Sequence, residues 1–292
     1  MKWFFCLLPL PVFSIMRCTN FFGLETQLYN TDCAWVQPAK FYIDELGRRG
    51  FNYLRIPFSA GYIERGDFSI LDNIFSSVSQ WNMSILLDWH RNRNVGWQGD
   101  WLDDLSRDDY LQLYTLLISK YQFNPSLTML GLFNEYKGLD IGYWKTEMEF
   151  IVLYFEKLFP NRFHWVIGCP QWSGNCHDMD WSHLNFSDRI LIDIHKYSWS
   201  RIIDKAYEED WEYSFPKNKS NVLLGEWGWK SDLPEQIAWA SHFIQWLKKN
   251  NVSNSCFWVS VSNSYDTSGL WKDCREFEES KYLLLKELWG ME

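Results

Sequence analysis

At 292 residues, 47% of them hydrophobic, the chain can bury one large core, and no Pro-, Gly- or Ser-rich linker divides it, so a single domain is expected. A net charge of −9 with scattered Lys and Arg argues against a nucleic-acid partner, whose phosphates need clustered cations. Aromatic residues reach 19%, with 19 Trp; most suit a core, but indoles in a cleft also stack on the flat C–H faces of sugar rings.

Residues 1–14 read two ways. Lys2, an apolar run to Phe13, and Val12 and Ser14 at cleavage-compatible positions fit a secretion signal. The same residues also fit the lead-in to a buried strand. The run is too short and too Pro-broken for a stable membrane span. From residue 15 onward, apolar or β-branched runs recur: "MRCTNFF", "NYLRIPF", "SILLDW", "LTMLGLF", "FHWVIG", "RILIDIH", "NVLLGEW" and "SCFWVSV". Longer amphipathic stretches lie between most of them. In "QPAKFYIDELGRRG", Phe41, Ile43 and Leu46 follow helical turns, Pro38 suits a helix start and Gly50 its end. Residues 107–121, 144–158, 235–250 and 276–289 have similar periodicity, whereas 169–188 reads as loop with at most a short helix. Continuous apolar runs fit strands buried on both faces. Eight of them alternating with helices predict one (β/α)8 barrel over residues 15–292; an open doubly wound sheet would advertise a Gly-rich phosphate turn, and "NFFGLET" offers one glycine.

Six cysteines remain once Cys6 is set aside, an even number compatible with an oxidising compartment. Cys169 with Cys176, and Cys33 with Cys274, are the plausible pairs; Cys18 and Cys256 read equally well as buried thiols. A zinc site in "CPQWSGNCHDMDWSH" is disfavoured by the long step between its cysteines. Asn-x-Ser sequons at Asn82, Asn185, Asn218 and Asn251 exceed the roughly two expected by chance only weakly.

A barrel places its chemistry at the C-terminal ends of its strands. There the chain offers Arg55, Asp88 and His90, Asn134 and Glu135, His195 and Tyr197, Glu226, and Trp258. Two glutamates facing one cleft suit glycosidic bond cleavage, one as acid toward the leaving oxygen and one as anion toward the anomeric carbon. Arg55 and Tyr197 would hold Glu226 ionised, and Asn134 would meet a sugar 2-hydroxyl. Duller roles compete: Glu135 as a helix cap, His90 and His195 as core imidazoles, Arg55 as an internal ion-pair partner of Asp88 or Glu226. Trp97, Trp172, Trp199 and Trp258 are the indoles expected beside the cleft.

In "NFFGLET", "YLRIPFS", "LLDWH", "GLFNEY", "WSGN", "DIHKY", "LLGEWG" and "FWVSVSNSYDTSGL", taken in order over residues 16–275, the chain resembles glycoside hydrolase family 5, and within it the bacterial-type endo-β-1,4-glucanases. The resemblance implies a retaining, metal- and cofactor-free double displacement with Glu135 as acid/base and Glu226 as nucleophile. Arg55, His90, Asn134, His195, Tyr197, Trp172 and Trp258 would form the substrate shell. A β-linked oligo- or polysaccharide substrate, a monomer and a secreted location are the matching expectations. Rivals are a β-mannanase, β-1,3-glucanase or glycosylceramidase of the same family, or a non-catalytic carbohydrate-binding barrel. One departure stands out: Tyr136 occupies the place where the family usually has Pro, which predicts a looser loop after the acid/base.

Overall fold

The computed structural model describes residues 15–93, 100–198, 206–261, 264–265 and 267–292. Eight parallel strands close a barrel in sequence order: β1 (Arg17–Asn20), β2 (Tyr53–Ser59), β3 (Ser84–Arg91), β4 (Leu127–Gly131), β5 (His164–Gly168), β6 (Ile190–Tyr197), β7 (Val222–Gly228) and β8 (Ser255–Phe257). β8 pairs back onto β1, with Cys18 beside Cys256. All eight apolar runs became strands. The segment read as a leader lies outside the described residues.

Helices α1 (Ala39–Arg48), α2 (Ala60–Arg65), α3 (Ser69–Ser79), α4 (Arg107–Tyr121), α5 (Ile141–Leu158), α6 (Pro170–Ser173), α7 (Ala206–Ser214), α8 (Pro234–Lys249) and α9 (Glu279–Trp289) connect and cover the strands. Their starts follow local chemistry. Ser106 accepts a hydrogen bond from the Asp109 amide to open α4, and Asp140 does the same for Tyr143 to open α5. The Asp140 cap puts the start of α5 three residues ahead of its periodic stretch. It also answers the capping question for Glu135, which caps nothing there. A two-strand ribbon, β9 (Trp271–Lys272) with β10 (Glu276–Phe277), precedes α9. No helix among the described residues is long and apolar enough to cross a membrane.

The barrel interior is a second, separate core. Met16, Cys18, Tyr53, Leu86, Met129, Val166, Leu191, Leu223 and Cys256 fill it below the mouth. Because strand side chains alternate, the next inward positions, two residues along, are Asn20, Arg55, Asp88, Gly131, Gly168, Asp193 and Gly225. The interior therefore changes from apolar to charged within one layer. Two of the glycines are there for space. A Cβ on Gly131 would stand 2.7 Å from Asp88 Oδ1, and one on Gly225 would overlap the Asp193 carboxylate.

Three disulfides join Cys18–Cys256, Cys33–Cys274 and Cys169–Cys176. The last two are the pairs expected from sequence. Cys18 and Cys256, read equally well as free thiols, are bonded across the β1–β8 seam instead. The bond between Cys169 and Cys176 also removes both as zinc ligands.

Candidate active site

Arg55 stands at the centre of the charged layer and is fully buried. Its Nη1 donates to Asn20 Oδ1 at 2.8 Å and to Glu226 Oε1 at 2.6 Å; its Nη2 donates to Asn134 Oδ1 at 2.7 Å. Nη2 also lies 3.0 Å from Asp88 Oδ2 and 3.6 Å from Asp193 Oδ2. Burial opposes the guanidinium charge, but Asp88, Glu226 and Asp193 outweigh it and hold Arg55 ionised.

Two strands present the same device on either side. In β3 "DWH" and in β6 "DIH" an aspartate and a histidine two residues apart share the inward face. On β3, His90 Nδ1 meets Asp88 Oδ2 at 2.7 Å and Nε2 faces Asn134 Nδ2 at 3.4 Å. Burial drives the His90 pKa well below its ordinary value. The ring is therefore neutral, with its proton on Nδ1 and Nε2 accepting, as assigned from these partners. Burial also pushes Asp88 up to about 6, against the pull of Arg55.

On β6 the result is opposite. His195 Nδ1 donates to Glu135 Oε1 at 2.8 Å, Nε2 to Asp193 Oδ2 at 3.4 Å, and Glu226 Oε2 is 3.6 Å away. Burial works against the charged ring, but Glu226 and Asp193 lead a set of carboxylates that carry His195 up to about 10, so it is an imidazolium at neutral pH. One sequence pattern thus yields a neutral and a charged histidine, decided by how many carboxylates each faces.

Glu226 owes its direction to a register slip. Ile194 pairs with Leu224 but His195 pairs with Glu226, leaving Gly225 unmatched, so two consecutive residues of β7 turn toward the interior. Tyr197 OH then donates to Glu226 Oε2 at 2.7 Å while Arg55 holds Oε1.

Glu135 follows Asn134 beyond the end of β4. The Asn134 amide donates to the Trp89 carbonyl at 2.9 Å, which anchors the pair, and Glu135 takes a left-handed φ of 50°. For a non-glycine residue that costs about 1 kcal/mol. Burial first, and then the nearby Glu226 charge, raise the Glu135 pKa, while the His195 hydrogen bond pulls it down. One side-chain atom from each of Glu135, His195 and Glu226 can be chosen so that all lie within 4.8 Å of one another.

Trp258 lies just past β8, its ring parallel to His90 at 8° with centroids 5.6 Å apart, and Phe22 meets its edge. Its carbonyl accepts from Thr267 Oγ1, and the buried Lys281 ammonium donates to the Thr267 and Gly269 carbonyls at 2.7 and 2.6 Å. Trp172, in α6, is about half exposed, and its amide donates to the Tyr136 carbonyl next to Glu135. Trp97 and Trp199 lie outside the described residues. Sequence reasoning missed Asn20 and Asp193 as members of the cluster. The signal for Asp193 was present in the period-two spacing from His195.

Tyr136 does not loosen its loop. The ring stacks on Trp144 with centroids 4.2 Å apart, and its carbonyl accepts from the Trp172 amide at 3.0 Å. The Gly138 carbonyl accepts from the Gln171 amide at 3.3 Å. Both donors belong to the turn closed by Cys169–Cys176, where Gln171, Trp172 and Ser173 all have φ of 56°. A short covalent ring thus clamps the segment after Glu135, doing for the loop what a proline's fixed φ does elsewhere. The double variant Cys169→Ser/Cys176→Ser is expected to lose about 2–3 kcal/mol of stability. Its kcat should fall roughly tenfold, because the segment after Glu135 loses its clamp. Unaltered kcat would show that the clamp does not position Glu135.

A closed parallel barrel whose mouth brings together two buried carboxylates in unlike surroundings is laid out as a glycoside-cleaving enzyme. The cellulase (glycosyl hydrolase family 5) family model matches residues 14–264, and the chain belongs to that family. It is 23% identical over 328 residues to the major extracellular endoglucanase of Xanthomonas campestris pv. campestris, covering 94% of this chain and 68% of that one. It is 23% identical over 308 residues to an endoglucanase of Paenibacillus polymyxa, covering 87% and 77%. The structure superposes on the catalytic domain of the Xanthomonas enzyme with a TM-score of 0.82 at 21% identity, covering 95% of both chains. On an endocellulase of the archaeon Pyrococcus horikoshii the TM-score is 0.81 at 17% identity, covering 94% and 92%.

Proposed function

We propose that this chain is a retaining β-1,4-glucan hydrolase of the endoglucanase type, with Glu226 as nucleophile and Glu135 as acid/base. The observation that carries this reading is the closeness of the two carboxylates: an oxygen of one lies within 4.8 Å of an oxygen of the other, which suits the close pair of a retaining enzyme better than the ~6.5–9.5 Å separation of an inverting one. Their surroundings divide the labour. Glu226, held by Arg55 and Tyr197, attacks the anomeric carbon as an anion. Glu135, raised by burial, gives its proton to the departing oxygen. The glycosyl–Glu226 ester is then opened by water, which Glu135 deprotonates. Asn134 is placed to meet the 2-hydroxyl of the reacting sugar, with Trp258 beneath that sugar and Trp172 on the rim; His90 and His195 complete the shell.

The charge of −9 suits a neutral substrate. Three disulfides and the extracellular Xanthomonas relative support secretion. The test is reducing-end release from cellulose derivatives, glucomannan, mannan and β-1,3-glucan. Faster turnover of mannan or β-1,3-glucan would replace the glucanase reading with one of its relatives. Turnover of none would favour a binding barrel.

The pH profile offers a separate check on the acid/base. Glu135 must be protonated in the first step, so activity falls as pH rises through its raised pKa. His195 pulls that pKa down by its hydrogen bond and its charge. The variant His195→Asn should therefore move the basic limb of kcat/KM to higher pH while lowering its maximum. A limb that stays in place would remove Glu135 as the titrating group.

A further inference from the structure

Among the described residues Lys281 is the only buried lysine, and its side chain lies wholly out of water. Nothing within α9 explains a cation there. Lys281 stands in the first turn of that helix, where the positive end of the helix dipole disfavours it. Among the described residues no carboxylate lies within ion-pair distance, although Glu278 and Asp232 attract it from farther away. Burial drives its pKa down to about 8, so the ammonium is still charged at neutral pH. A buried cation without a carboxylate is costly, so the groups that do hold it show what it serves.

Those groups belong to the stretch just before β9. Lys281 Nζ donates to the Thr267 carbonyl at 2.7 Å and to the Gly269 carbonyl at 2.6 Å. It also lies 6.0 Å from the centre of the Phe257 ring on β8. The same stretch grips the residues that follow β8. Thr267 Oγ1 donates to the Trp258 carbonyl, and the Leu270 amide donates to the Val259 carbonyl at 2.9 Å. The Thr267 methyl and the Trp258 carbonyl fill the space over Gly228, where a Cβ would stand 2.5 and 2.8 Å from them. Trp258 needs such support because β8 ends at Phe257. Its amide still reaches the Trp227 carbonyl at 2.8 Å, while its own carbonyl is held by Thr267.

We propose that Lys281 is a positioning residue for the substrate floor: by holding Thr267 it fixes the Trp258 carbonyl, and with it the plane of the indole that lies parallel to His90. The role rests on the reading of Trp258 as the platform beneath the reacting sugar. An apolar side chain at 281 would leave two carbonyls converging on no donor, and the stretch would shift to find one. The indole would tilt with it and stack less closely on the sugar.

A double-mutant cycle separates this role from plain support of the fold. In the Glu226→Gln background, Lys281→Met and Thr267→Val should each weaken cellotetraose binding about fivefold by calorimetry. Met keeps the volume of the lysine stem, and Val keeps the shape of Thr. With Trp258→Ala added, the same two changes should alter Kd by less than about twofold, because the platform they steady is gone. Melting temperatures confirm that each variant is folded, and Thr267→Val leaves the ammonium in place should Lys281→Met fail to fold. Undiminished binding in the folded variants overturns the role. An equal loss with and without Trp258 also overturns it, by making Lys281 general support. Mannotetraose and laminaritetraose are titrated beside cellotetraose. If one of these binds and cellotetraose does not, the glucanase reading fails and the cycle is read on the sugar that binds. If the Glu226→Gln protein with Lys281 intact binds none of the three, the carbohydrate reading fails and takes this role with it.

Discussion

Glu226→Gln is expected to abolish turnover, lowering kcat on the order of 10⁴-fold or more, about 5.5 kcal/mol of lost barrier reduction. The amide has nearly the shape of the carboxylate, so the fold should survive. Arg55 keeps Asp88 and Asp193 as counter-charges, and the carbonyl oxygen of the new side-chain amide can still accept from Arg55 Nη1. What disappears is the anion that, on the proposed mechanism, attacks carbon. Substrate should still bind, with KM or Kd within a few-fold of the unmutated protein, because the polar shell is intact. Denaturant unfolding beside initial-rate kinetics separates the two effects. Residual activity above about 1% would mean that another group supplies the nucleophile.

Glu135→Ala should behave differently, and the contrast identifies the roles. On a substrate with a good leaving group, little protonation is needed in the first step, so the glycosyl–enzyme ester should accumulate as a burst. Its hydrolysis, without a base, should slow by about 10²–10⁴-fold. Azide, which needs no base, should restore turnover and yield a β-glycosyl azide, retention at the anomeric carbon being the mark of two displacements. Loss of the carboxyl also leaves His195 with Asp193 and Glu226 as its acceptors, so the imidazolium persists. Absence of azide rescue in a folded Glu135→Ala protein would remove the acid/base assignment.

Much of this was readable before any coordinates. Eight apolar runs separated by amphipathic stretches suffice for the barrel, and the barrel rule then puts Arg55, Asn134, Glu135 and Glu226 at one end. The helices that escaped have specific causes. α2 and α3 share the β2–β3 connection, and Gly61 and Gly66 interrupt the hydrophobic period across it. α7 carries Glu208, Glu209 and Asp210 along with its aromatics, which blurs its apolar face. Asp193 escaped because attention to strand ends skips the residue two positions earlier, where the charged layer begins. The register slip at Gly225 could not be read at all: strict alternation would have aimed Gly225 and Trp227 inward and Glu226 away. The Cys18–Cys256 bond was implicit once β1 and β8 were neighbours, since a closed barrel must bring its first and last strands together.

That seam bond and Cys33–Cys274 span 238 and 241 residues, so nearly the whole barrel lies inside two covalent loops. Any single backbone cut between Cys33 and Cys256 leaves one molecule, because its two fragments remain tied at the seam. The β1–β8 pairing holds those fragments in register, and their other strands keep their neighbours. A nick in an exposed connection is then a scar and not a break. A clipped barrel would run as two bands on a gel only after reduction.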